Sequence, residues 1–98
     1  MQLYDVIWKV GFIEKIGGKH GVATDEVEEI LFGKSHFRRM QKGYIKGEDL
    51  YASYGQTAGG RYLIVFFIRK EHTAALPISA RDMNDSERRY YERQAEAR

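Results

Sequence analysis

The sequence predicts an α+β domain, an antiparallel β-sheet flanked by N-terminal helices and a C-terminal helix. Three observations carry this expectation. Val27, Ile30 and Leu31 recur at helical spacing behind a run of acids. Residues 48–81 read as consecutive strands separated by short turn signals. Asn84, with Glu87 three residues on, opens a last helix. Strands linked by hairpins pair antiparallel.

Leu3 to Trp8 is rich in aromatic and β-branched residues and reads as a short strand. Lys9 to Lys19 is ambiguous, because Val10, Ile13 and Ile16 have helical spacing while Gly11, Gly17 and Gly18 weaken a helix. Gly21 is a plausible stop. Thr24 or Asp25 can cap the next helix, and Glu26, Glu28 and Glu29 suit its positive first turn. Gly33 stands where a left-handed terminating residue is wanted. His36 to Tyr44 alternates loosely. Glu48 to Gln56 alternates as a strand, with Leu50, Ala52 and Tyr54 on one side and Tyr51 and Ser53 on the other. Thr57-Ala58-Gly59-Gly60 is a hairpin loop, and Tyr62 to Ile68 is apolar on both faces, as in a central strand covered twice. Ala74 to Arg81 is the last strand, with Pro77 marking an edge or a bulge. The final helix is poor in apolar residues, so its last turns, about residues 93–98, are expected to fray or await a partner.

Ninety-eight residues, 43% of them apolar, fit one domain spanning 1–98. The chain has no cysteine, which excludes disulfides and thiolate metal sites and fits a reducing cytoplasm. Met1 to Lys9 lacks the basic start and long apolar core of a secretory signal, and no run is long enough to cross a membrane. Charge is unevenly placed. Asp25, Glu26, Glu28 and Glu29 form an acidic block, whereas Lys34, Arg38, Arg39, Lys42 and Lys46 fall in a segment with no acid. Such patches orient an anionic partner.

Several chemistries find no support. His20, His36 and His72 are far apart in sequence, at no metal-ligand spacing. No serine sits in a nucleophile elbow, and neither Gly17-Gly18 nor Gly59-Gly60 has phosphate-loop spacing. RNA cleavage asks for less. RNA brings its own nucleophile, so an enzyme need only position the 2′-hydroxyl, move protons and stabilise charge on phosphorus. The segment Ile78 to Tyr91 supplies suitable groups in Arg81, Glu87, Arg88, Arg89 and Tyr91 beside a helix N-terminus.

A set of ordered motifs runs through residues 8–91. These are Trp8, Lys19-His20-Gly21-Val22, Glu26-Val27-Glu28-Glu29 with Leu31-Phe32, Gly55-Gln56-Thr57, Gly60-Arg61-Tyr62-Leu63, and Ile78-Ser79-Ala80-Arg81 leading to Glu87-Arg88-Arg89-x-Tyr91. In these the chain resembles the BrnT family of ribonuclease toxins. The resemblance implies a RelE-like fold, RNA cleavage without a cofactor, inhibition of translation, and a cognate antitoxin carrying a DNA-binding domain. Carried onto this sequence, it implies catalytic roles for His20, Arg61, Arg81, Glu87 and Tyr91, and substrate binding by Lys19, Arg88 and Arg89. On that reading Arg61 and Arg81 share a hollow and clamp the scissile phosphate. His20 or Glu87 takes the 2′-hydroxyl proton, and Lys19 or Tyr91 assists the leaving oxygen. Two positions depart from the family pattern. Ala75-Leu76-Pro77 stands where an arginine is common, and Asp82 brings a negative charge next to Arg81. They support an alternative, a catalytically weakened member acting as an RNA-binding or antitoxin-binding module.

Overall fold

The computed structural model describes residues 1–97. Its elements run β1 (Asp5–Val6), α1 (Val10–His20), α2 (Thr24–Phe32), β2 (His36–Gln41), β3 (Leu50–Gln56), β4 (Tyr62–Lys70), β5 (Ala74–Asp82) and α3 (Asp85–Glu96). The strands form one five-stranded sheet in the order β1-β5-β4-β3-β2.

The sheet is mixed, which corrects the expectation of an antiparallel one. The hairpin-linked strands β2 to β5 pair antiparallel, but β1 pairs parallel with β5 through Asp5–Ala74 and Val6–Ala75. No tight turn joins β1 to its neighbour, so hairpin geometry does not set its direction. It is also shorter than the Leu3–Trp8 expected, because Trp8 leaves the sheet to donate from Nε1 to Glu28 at 2.9 Å.

Layering follows from alternation along the strands. Leu63, Val65 and Phe67 of β4 project to one face and pack with Ile16 of α1 and Val27, Ile30 and Leu31 of α2. Ile64 and Phe66 project to the other, with Ala52 and Tyr54 of β3 and Met83, Tyr90 and Tyr91 around α3. The doubly apolar β4 is therefore the central, twice-covered strand that its sequence implies.

The local signals resolve differently. The ambiguous first segment is a helix, ended by Gly21 in the left-handed region at φ 62°. Gly33 is not left-handed, since its φ is −91° and its backbone extended. Close approach explains it, because a Cβ there would lie 2.6 Å from the Glu29 carbonyl oxygen. Helix α2 starts after Ala23, earlier than the two caps considered. Ala23 has no side-chain acceptor, so only half a capping box forms, with Glu26 accepting from the Ala23 N–H at 3.0 Å. At α3 the whole box is present. Asn84 Oδ1 accepts from the Glu87 N–H at 2.8 Å, and Glu87 Oε1 accepts from the Asn84 N–H at 2.9 Å. The helix continues to Glu96, and Arg98 lies outside the described residues.

Two irregularities matter for the site. Strand β5 slips in register between Ser79 and Pro77, leaving Ile78 as the extra residue of a bulge. Strand β2 slips in the same way at Met40.

Candidate functional site

The expected hollow shared by Arg61 and Arg81 is not formed. Arg61 precedes β4 and turns toward the α1–α2 face. Its Nε and Nη2 hold the two oxygens of Asp82 at 2.8 and 3.1 Å. Its Nη1 donates to Glu26 at 3.0 Å and to the Gly21 carbonyl at 2.8 Å, and Nη2 reaches the His20 carbonyl at 3.0 Å. Arg61 thus ties the end of α1, the start of α2 and the end of β5 together. The Arg61 guanidinium holds the Asp82 carboxyl below its ordinary range. The charge of Asp82 is matched on that face, so it does not burden Arg81.

Arg81 faces the other way, a consequence of strand alternation one residue earlier. It pairs across β4 with Ile64, and its guanidinium lies 5.6 Å from the Phe66 ring centre on the α3 face. Nη1 and Nη2 donate to Glu87 Oε1 and Oε2 at 2.7 and 2.8 Å. This two-armed bond drives the Glu87 carboxyl down and the Arg81 guanidinium up from their ordinary values. A carboxylate held ionised in this way is a poor proton acceptor. The two bonds fix the orientation of the Arg81 guanidinium.

Arg81 has company that sequence reasoning missed. Strand pairing places His36, Tyr54, Ile64 and Arg81 in one row across four strands, with Arg38, Ala52, Phe66 and Ser79 in the next. Tyr90 of α3 drops onto the first row. His36 Nε2 and the Tyr90 hydroxyl are 2.8 Å apart, and the Tyr54 and Tyr90 ring centres 5.0 Å. The Arg38 guanidinium sits 5.0 Å from the Tyr90 ring centre. Tyr54 lies close enough to Arg81 to act on its charge. Two guanidiniums, an imidazole and two phenols therefore gather on one sheet face. The sequence signal was the His36-x-Arg38 alternation, which puts both side chains on the face that Tyr54 uses.

The remaining expected residues divide between the faces. His20 belongs with Arg61 and Asp82, and Lys19 is exposed at the end of the same helix. Tyr91 is half-buried and packs edge-on to Tyr62, with ring centres 6.1 Å apart. Arg88 lies 3.9 Å from the Tyr62 ring centre and bonds Glu92 at 2.9 Å, while Arg89 is exposed. Among the described residues no group of three or more His, Asp or Glu side chains is placed to hold a metal ion. No helix among them is long and apolar enough to cross a membrane.

A small α+β domain with a cationic, aromatic sheet face is the class of protein these features define. The family model described as the ribonuclease toxin, BrnT, of type II toxin–antitoxin systems matches residues 14–87. The chain belongs to this family, whose members are ribonuclease toxins paired with an antitoxin. No curated protein matches it significantly.

Proposed function

We propose that the chain is a metal-independent endoribonuclease that inhibits translation in the cytoplasm, is held in check by an antitoxin with a DNA-binding domain, and cuts RNA on the α3 face of its sheet. The observation that carries the reading is that Arg38 and Arg81 share one sheet face with the His36–Tyr90 hydrogen bond, Arg38 beside the Tyr90 ring and Arg81 two strands from Tyr54. Arg81 is pinned by Glu87 through both terminal nitrogens, yet its Nε–H has no hydrogen-bond acceptor among the described residues. An oriented guanidinium with a spare donor is suited to a phosphate oxygen.

In this reading Arg81 and Arg38 hold the non-bridging oxygens of the scissile phosphate and offset the charge that develops on them. His36 accepts the 2′-hydroxyl proton as the 2′-oxygen bonds to phosphorus and the bond to the 5′-oxygen breaks. A phenol, Tyr54 or Tyr90, donates the proton that the departing 5′-oxygen takes up. The products are a 2′,3′-cyclic phosphate and a 5′-hydroxyl. Arg88 and Arg89 extend the positive surface along α3 for neighbouring phosphates. Lys19, His20 and Arg61 serve the fold on the opposite face, and Glu87 and Tyr91 position their neighbours.

The Arg81–Glu87 pair also favours a second reading. A guanidinium satisfied by a carboxylate binds phosphate less tightly, as in a weakened nuclease that retains RNA or antitoxin. The purified protein, incubated with an unstructured RNA in excess EDTA, separates the two. The nuclease reading expects fragments ending in 2′,3′-cyclic phosphate and no cut at a 2′-deoxy position. Intact RNA, or 5′-phosphate ends, refutes it.

A further inference from the structure

Beyond the cationic cluster, the α3 face continues past the reach of α3 itself. Leu50 and Ile68 lie in the row beyond Ala52 and Phe66, about 7 Å further along the strands. Here the β2–β3 connection folds over the sheet and closes a cavity of about 180 Å³ lined by Leu50, Ile68, Ile78, Tyr44, Lys42 and Glu48. The Ile78 bulge brings an aliphatic side chain to its wall. The connection is fixed, not loose: the Gly43 N–H donates to Asp49 Oδ1 at 2.8 Å, and Lys70 pairs with Glu48.

Around the cavity the surface is both apolar and basic. Met40 is 44% exposed, Ile45 62% and Tyr44 fully, an unusual cluster of uncovered large side chains. Arg38, Arg39, Lys42 and Lys46 stand among them with no acid in residues 34–46. Of these four, Arg39 alone forms an ion pair among the described residues, with Asp49 at 3.6 Å. The aliphatic walls of Leu50, Ile68 and Ile78 suit an apolar protein side chain better than a phosphate, and Lys70 matches the charge of Glu48.

We propose that this cavity and the basic segment beside it receive an acidic segment of the antitoxin, with one apolar side chain seated between Leu50, Ile68 and Ile78 and carboxylates on Lys42 and Lys46. The occupant follows from charge complementarity and from the family's pairing with an antitoxin. The inference rests on the antitoxin half of the function proposed above and not on RNA cleavage. A segment seated there runs up to Arg38, so docking covers part of the nuclease face and inhibition follows by occlusion.

The test uses the chain co-expressed with the antitoxin from the adjoining reading frame. The double variant Lys42→Glu with Tyr44→Ser changes two exposed side chains and leaves the fold's contacts alone. It is expected to weaken the complex about tenfold or more and to leave RNA cleavage by the free protein unchanged. Amide exchange in the wild-type complex is expected to slow in residues 38–50. An unchanged dissociation constant, or protection confined to α1 and α2, overturns the proposal. So does a raised KM for RNA with antitoxin affinity intact, which assigns the cavity to the substrate. If the wild type leaves RNA uncut but the variant still loses the antitoxin, the docking site stands and the nuclease reading falls.

Discussion

Arg81 and Glu87 face each other across the junction of β5 and α3, joined by bonds of 2.7 and 2.8 Å. The same carboxylate caps α3 by accepting from the Asn84 N–H, so one side chain both starts the helix and aims the guanidinium. Removing it is expected to affect fold and function together.

Glu87→Gln is expected to lower stability by about 1–2 kcal/mol at pH 7, a value reduced for partial solvent exposure. The carboxyl is depressed by Arg81 first and by the Asn84 N–H as well. An acid lowered in the folded state contributes stability that is complete above its unfolded value, about 4.3, and is lost as pH falls through the folded one. The gap between wild type and variant in urea melts should therefore shrink below about pH 4. A gap that persists at pH 3 would show that charge is not its source.

The Arg61 side chain makes five hydrogen bonds to four residues, and all of them serve the α1–α2 side of the molecule. Arg61→Ala should cost about 2 kcal/mol, lowering the melting temperature by roughly 8–16 °C in a domain of this size. Arg61→Lys should recover little, because an ammonium cannot span that geometry. Cleavage per folded molecule should stay within about threefold of wild type, a difference small against the loss that removal of a transition-state contact brings.

Much of this was open to reading in the chain. The Asn84–Glu87 box, the doubly apolar β4 and the Gly21 stop each rest on a local rule that the surroundings do not override. The parallel partner of β1 was not legible, because nothing local says which edge a two-residue strand will join. The site was legible in part. Arg81 and Glu87 stand close in sequence and do meet. Arg61 and Arg81 are separated by a face of the sheet, and only the register of β4 against β5, with its bulge at Ile78, fixes that. The gathering of His36, Tyr54 and Tyr90 joins three distant segments; alternation along β2 puts His36 and Arg38 on one face, but nothing local in the chain brings Tyr90 onto it.

The His36–Tyr90 bond yields a sharper prediction for chemistry. His36→Ala should slow single-turnover cleavage by about 100-fold or more, as expected for a lost general base. Tyr90→Phe keeps the ring against Tyr54 but removes the hydroxyl from His36, and should slow cleavage about tenfold with the melting temperature nearly unchanged. Equal rates for all three proteins would remove His36 from the mechanism.

Ser53 is fully buried on the α1–α2 face, and its hydroxyl has no hydrogen-bond partner among the described residues. An unsatisfied hydroxyl costs about 1–3 kcal/mol in such a place. Ser53→Ala should raise stability by about 1 kcal/mol, part of the gain being offset by the small void left. A calorimetric scan showing a lower melting temperature would mean that the hydroxyl is satisfied in solution.

The most direct measurement compares single-turnover RNA cleavage by Arg81→Ala and Arg61→Ala, each corrected for folded fraction by circular dichroism. Loss of about 100-fold or more in the first, with the second near wild type, is the expected result. The reverse order, or equal loss in both, would contradict the placement of the reaction on the α3 face.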